Sequence, residues 1–341
     1  MSVSAGFAAA DVAISGSARM GVVGAYNSDT KKNATTFSSN VHATFTGSGT
    51  TDGGLAFGGS FDMHNATGAD AGTSGSTYIS GAFGKISMGG VDSGDKAAVG
   101  QLSSVGYEGV GSKNSISYAA DGGKTDTGND TDILGTSGAK VLYTYSAGAM
   151  TISASSAQLS NGAANHTAYG IGATYTAGAV KLAIGYGSNE ISGIKSIAAD
   201  LDTYTLPVHH LFDGGTGSIT DVTAAVTYTM GDTTLKAIYQ DKSADITVGS
   251  EDFSLASVVS MGLSVDHKLD ALTLTAYALT TNVTSDYSHV DVTLSHVGIG
   301  ASYNLGGGAS FKAGWAQSDV ALPNNKTASR SGFDAGVNFS F

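Results

Sequence analysis

Eight histidines, His42, His64, His166, His209, His210, His267, His289 and His296, are the side chains here best suited to bind zinc or relay protons, yet none falls at ligand spacing from another. His209 and His210 are adjacent, so on a strand they would point to opposite faces. Serine is too abundant for a nucleophile to be picked out beside a histidine and an orienting acid, and no enzyme activity is expected. Asp126, Asn129, Asp130 and Asp132 have the carboxylate density of a calcium loop without the closing Glu at its twelfth position. Asp126, Asp130 and Asp132 are therefore the candidate calcium ligands, and nothing else in the chain asks for a cofactor. Gly-rich pieces such as Gly47 to Gly54 lack a following helix and a lysine, so they are turns rather than phosphate loops.

What remains is a pattern that positions side chains on two faces. Phe333, Ala335, Val337, Phe339 and Phe341 alternate with Asp334, Gly336, Asn338 and Ser340, so one face of the final strand is apolar and the other polar. The same period of two recurs in about sixteen segments. Val41, Ala43 and Phe45 alternate with Asn40, His42, Thr44 and Thr46, and Val259, Met261, Leu263 and Val265 alternate with Ser260, Ser264 and Asp266. Strand charges, among them Arg19, Lys181 and Lys312, keep to the polar face, as they must if the other face meets lipid, where a Lys or Arg costs roughly 2–4 kcal/mol at mid-bilayer. Aromatics such as Tyr145, Tyr175, Tyr228, Tyr303, Trp315 and Phe341 gather toward one end of the strands, like an interfacial girdle.

Composition agrees. Charged residues are 13% of the chain, about half the roughly 25% of soluble domains, and there are 49 glycines. The two prolines, Pro207 and Pro323, fall in segments that read as loops. A net charge of -12 with only two arginines, Arg19 and Arg330, excludes nucleic acid as a partner. No apolar run is long enough for a spanning helix, a result that says nothing about barrels. With no cysteine, neither disulfides nor thiolate metal sites are available. Met1 to Ala10 ends in small residues and reads as a signal-peptide remnant or a disordered terminus, leaving residues 11–341 as one barrel domain.

Connections alternate in length. Short turns are expected at Ser48 to Gly53, Gly84 and Lys85, Ala147 and Gly148, Ala177 and Gly178, Gly231 and Asp232, His267 to Leu269 and Gly306 to Gly308. Long loops are expected at Asn27 to Thr36, Asn65 to Gly75, Val91 to Gly138, Ser188 to Thr220, Asp241 to Leu255 and Gln317 to Arg330. That asymmetry between rims belongs to outer-membrane barrels. The Val91 to Gly138 connection is too long to be left structureless, and a sixteen-stranded barrel has room for it only in the lumen. The fold class is thus all-β: a transmembrane, antiparallel, 16-stranded barrel with its third loop folded inward.

Several stretches carry a family resemblance: GSARMG at Gly16 to Gly21, TTDGGLAFGGSF at Thr50 to Phe61, SGAFGK at Ser80 to Lys85, LYTYSAGA at Leu142 to Ala149, GIGASYNLGGG at Gly298 to Gly308, and the terminal Phe341. From about Asp11 onward the chain resembles the trimeric general porins of alphaproteobacterial outer membranes. The resemblance implies a homotrimer set in outer-membrane lipid and lipopolysaccharide. It also implies a C-terminal strand, marked by Phe333, Val337, Phe339 and Phe341, that the barrel-assembly machinery reads. In such porins basic wall residues face acids on the third loop. Here Arg19 matches a basic position, but Asn40 and His42 stand where arginines are usual, Asp62 where a base is frequent, and Lys96, Gln101 and Ser104 where acids are expected.

The expected function is passive diffusion of ions and small hydrophilic solutes, weakly preferring cations. Arg19, Asn40, His42, Asp62 and His64 on the wall would face Lys96, Gln101, Ser104 and Glu108 on the loop across the constriction. A substrate-specific channel, or a secreted all-β adhesin or surface protein, would share much of the composition; the adhesin would not need a terminal Phe.

Overall fold

The computed structural model describes residues 11–27, 32–64, 75–107, 110, 113–121, 140–160, 165–194, 200–201, 204–205, 215–248, 251–285, 290–322 and 326–341. The strands are β1 (Asp11–Asn27), β2 (Lys32–Thr50), β3 (Ala56–His64), β4 (Gly75–Gly81), β5 (Gly84–Gly89), β6 (Lys140–Ala147), β7 (Met150–Ser160), β8 (Asn165–Ala177), β9 (Val180–Ile194), β10 (Asp200–Leu201), β11 (Tyr204–Thr205), β12 (Gly215–Met230), β13 (Thr233–Val248), β14 (Glu251–Leu269), β15 (Leu272–Ser285), β16 (Val290–Gly306), β17 (Ala309–Leu322) and β18 (Lys326–Ser340). Between β5 and β6 lie a short helix α1 (Gly94–Val99) and a 3₁₀ turn at Ala119–Asp121. Sixteen strands pair in antiparallel succession into a closed barrel, while β10 and β11 form a separate two-stranded hairpin.

Burial in this barrel is inverted relative to a soluble protein. Phe37 is 94% exposed and Val12 76%, and Ile14, Met261, Leu263, Ile299 and Phe333 are exposed on the same face. On the opposite face Asp334 is 1% exposed, Gln240 1% and Asp221 2%. Only hydrocarbon outside and polar surroundings within make that arrangement favourable. Tyr145, Tyr175, Tyr228, Tyr303 and Phe341 lie on the exposed face within a few residues of short turns or the chain end. Trp315 differs. It pairs with Ile299 and Phe333 in the middle of β17, so it belongs to the lipid belt rather than the girdle.

Two kinds of sequence expectation are corrected. The loops expected over Asp241 to Leu255 and Gln317 to Arg330 are largely ladder: β13 runs to Val248 with β14 starting at Glu251, and β17 runs to Leu322 with β18 starting at Lys326. Likewise β9 continues to Ile194 and β12 begins at Gly215. Beyond the bilayer both faces meet water, so apolar alternation lapses while backbone pairing goes on. Some turns also shift. Gly84 and Lys85 belong to β5, and His267 to Leu269 belong to β14, whose turn is made by Asp270 at φ 51. Aspartate tolerates that left-handed conformation, so no glycine marks the place.

Closure is made by β1 against β18, with Arg19 opposite Asn338 and Ser17 opposite Ser340. Past the last paired strand residue, Gly16 N–H donates to the Phe341 carbonyl at 2.7 Å, and Phe341 N–H donates back at 3.0 Å. A Cβ at Gly16 would sit 2.6 Å from the Phe341 ring, so the seam needs a bare backbone there. Deleting Phe341 removes both hydrogen bonds and is expected to destabilise the barrel by roughly 1–3 kcal/mol, at 0.5–1.5 kcal/mol per bond. The check is the urea midpoint of the refolded protein in lipid vesicles; an unchanged midpoint would show that the seam does not depend on its last residue.

Candidate functional site

The described residues between β5 and β6, 90–107, 110 and 113–121, run along the inner face of the barrel, the face opposite the exposed apolar set. α1 lies on β7, β8 and β9. Those strands are bare where it touches them. A Cβ at Gly172 would lie 2.5 Å from Ala98 Cβ, and one at Gly185 would lie 2.9 Å from Asp95 Cβ. The chain then crosses to other strands, with Leu102 on Gly262 of β14, Val105 on Gly300 of β16 and Tyr107 on Gly336 of β18. Gly106 adopts φ +83 against Gly314 and Asp334, where both the backbone conformation and the space exclude a side chain.

Apolar contacts hold this segment to the wall. Ala98, Val99, Leu102, Ile116 and Tyr118 pack with Ala225, Ile238 and Leu279 of β12, β13 and β15. Val105 and Val110 pack with Tyr277 and Ala316. Each large aliphatic or aromatic side chain buried this way contributes on the order of 1.5–3 kcal/mol.

Polar side chains of the wall complete the attachment, because an irregular segment leaves backbone groups that need partners. Lys236 Nζ donates to the carbonyls of Val99 (2.6 Å) and Gln101 (2.8 Å). Lys242 donates to the Ser117 carbonyl and to its Oγ at 2.6 Å. Asp334 accepts the N–H groups of Tyr107 (2.9 Å) and Val110 (3.3 Å), and Asp221 accepts that of Ala119 (3.2 Å). Ser103 Oγ donates to Asp266 at 2.5 Å. At the β6 end, Asp121 takes Lys140 on one oxygen and Lys96 on the other, each at 2.7 Å, and Lys96 also meets Asp92 at 3.0 Å. Burial works against the Asp121 charge, but Lys140 and then Lys96 outweigh it and hold the carboxyl below its usual range.

The residues named from sequence fall into separate places. Arg19 lies over the Tyr107 ring, 5.8 Å from guanidinium carbon to centroid, and pairs in register with Asn40. Tyr107 Oη donates to the Ser38 carbonyl at 3.0 Å. Asp62 accepts from Thr44 Oγ1 at 2.7 Å and stands 3.5 Å from His42 Nε2. His64 is in register with His42. On the loop, Lys96 belongs to the Asp92–Asp121–Lys140 cluster. Gln101 commits both amide ends to the Ile116 backbone, at 2.7 and 2.8 Å, which ties two arms of the loop together. Ser104 is exposed. Glu108, and the calcium candidates Asp126, Asp130 and Asp132, lie outside the described residues.

Sequence reasoning did not single out Asp95, Tyr107, Lys236, Lys242, Asp221 or Asp334. One signal was available. Gly170, Gly172, Gly185 and Gly187 share the inward parity of two adjacent strands, and glycines so grouped mark a close backbone approach.

A closed antiparallel barrel, apolar outside and polar within, partly occluded by an inner loop, defines a transmembrane diffusion channel rather than an enzyme. The chain belongs to the Gram-negative porin family, whose model matches residues 1–321. It is 34% identical to a porin of Rhodobacter capsulatus over 343 residues, covering 97% of this chain and all of that one. A solved porin structure matches at 32% identity with a TM-score of 0.69, covering 97% of this chain and 100% of the other. The trimer form of OmpT from Vibrio cholerae shares the fold at 16% identity, with a TM-score of 0.71 and coverage of 98% and 100%. The protein is a passive outer-membrane porin, crossing the membrane many times with its strands.

Proposed function

We propose that this porin works as a homotrimeric general pore with a weak cation preference, its size limit set by the loop between β5 and β6. The observation that carries the reading is the docking of that loop on the inner wall by buried apolar and charged contacts, which leaves a fixed, narrowed passage. Lys236, Lys242 and Lys140 direct their charges at loop carbonyls and at Asp121, so they are poorly placed to meet passing anions. The net charge of -12 then raises the barrier for anions in a narrow low-dielectric conduit. Arg19, Asn40, His42, Asp62 and His64 are proposed to line the passage beside Tyr107, with Ser104 and Glu108 on the loop side. Trimerisation draws support from the trimeric relative. Insertion through the barrel-assembly machinery, by way of Phe333, Val337, Phe339 and Phe341, and contact with lipopolysaccharide follow from the family. Calcium at Asp126, Asp130 and Asp132 rests on their carboxylate spacing alone, and diffusion itself needs no cofactor.

Reversal potential across a planar bilayer in a salt gradient tests the preference. The expected sign is that of cation flow, modest in size. A reversal potential of anionic sign would overturn this part of the reading.

A further inference from the structure

Asp95, on α1, is 0% exposed, and neither carboxyl oxygen has a hydrogen-bond partner in good geometry among the described residues. It lies in a cradle of wall glycines. A Cβ at Gly170 would collide with its Oδ1, one at Gly185 with its Cα and Cβ, and one at Gly187 with its Oδ2 at 2.6 Å. That last position would also collide with Asp221 Oδ1, so the two carboxyls close on one methyl-sized space, within the ~4–6 Å over which like charges oppose each other's ionisation. Asp221 has partners for its charge in Gln240 Nε2 (2.6 Å), Thr223 Oγ1 (3.0 Å) and the Ala119 N–H. Asp95 has none of these.

We propose that Asp95 is buried as the neutral carboxylic acid and is a positioning residue for the constriction loop, its proton being one of the things that keeps α1 seated on β8 and β9. The proposal rests on the loop's role in the pore as read above. Among the described residues the charged or titratable neighbours are Asp221 on β12, Lys242 on β13, Tyr118 and Asp121 ahead of and in the 3₁₀ turn, and Asp92 with Lys96 on the helix's own side. β7, β8 and β9 present glycine and small side chains here. Burial pushes the Asp95 carboxyl up to about 7; Ser93 and the backbone N–H groups of Lys96 and of Asp95 itself work the other way without offsetting it, and the charge of Asp221 adds to the rise.

The docked loop thus holds a proton that the released loop gives up. Docking is full below the ordinary carboxylate pKa, weakens as pH rises from there to about 7, and weakens no further above it. Within that window each pH unit shifts the ratio of docked to released loop about tenfold.

The test uses the full chain refolded in lipid, with two readouts. Infrared difference spectra between wild type and Asp95→Asn at pH 5 should show the carbonyl band of a protonated carboxyl that is absent from the variant. Open-channel current noise in planar bilayers should rise in wild type between pH 5 and pH 7.5 and then level off, while Asp95→Asn, which keeps a neutral side chain, stays flat. Asp221→Asn removes the opposing charge, lowers the docked Asp95 pKa, and should make the rise smaller and end it at lower pH than in wild type. Absence of the infrared band overturns the protonation. An identical noise profile in wild type and Asp95→Asn overturns the positioning role. If no channel forms, the infrared result still decides the protonation, and the failure then falls on the pore reading.

Discussion

Leu102→Asp is expected to release the constriction loop and let the pore admit solutes that the wild type excludes. Leu102 is 3% exposed and packs against Leu279 on β15 and beside Gly262 on β14, at the centre of the loop-to-wall core. Truncating a buried leucine costs about 2–5 kcal/mol, and an unpaired buried carboxylate costs more still. The loop can escape that cost by leaving the wall, whereas the barrel cannot, because its ladder closes without the loop. A loss of about 3–5 kcal/mol in docking changes the docked-to-released ratio by a factor on the order of 10²–10⁴. Liposome swelling with oligosaccharides of graded size measures the outcome. Asp52→Asn, at an exposed position in the turn between β2 and β3, is the control and should leave the size limit unchanged. An unaltered limit in Leu102→Asp would mean that the loop does not set it.

Leu263→Arg should cost the folded barrel roughly 2–4 kcal/mol, the penalty of a guanidinium on the lipid face near mid-bilayer. Leu263 is exposed on β14, paired with Ala237 and Ala278 in the middle of the belt. Thr46→Arg, on the inward set of β2, should cost about 0.5 kcal/mol or less. Urea titration in vesicles separates the two, and the single tryptophan, Trp315, is a ready probe because it sits on the lipid face of β17. Equal costs at the two positions would contradict the assignment of faces.

Much of the barrel was legible because lipid imposes one rule on every spanning strand. In β14 and β18 that rule alone sorts Met261 and Phe333 to one face, and Ser264 and Asp334 to the other. It fails where lipid no longer acts. Near the end of β13 the apolar Ile246 falls on the inward parity of Gln240 and Lys242 and is buried, so the ladder continues without the outward rule. On the inner wall, Ile238 and Leu279 are apolar because a loop covers them, an arrangement set by partners more than a hundred residues away. The site was legible only in part for the same reason. Parity along the strands places Arg19, His42 and Asp62 inward, but nothing local says that Gln101 will clasp Ile116 or that Lys236 will reach the Val99 carbonyl. Loop residues take their roles from contacts across the lumen, and spacing along the chain does not encode those.

The account stands on a water-filled passage through a wall that is apolar outside and polar inside. Single-channel recording of the purified protein in a planar bilayer over a wide range of potassium chloride concentration tests it most directly. Ohmic steps whose size rises in proportion to salt, without saturation, are the predicted result. A protein that gives no steps, or whose conductance saturates as a binding site fills, would contradict it.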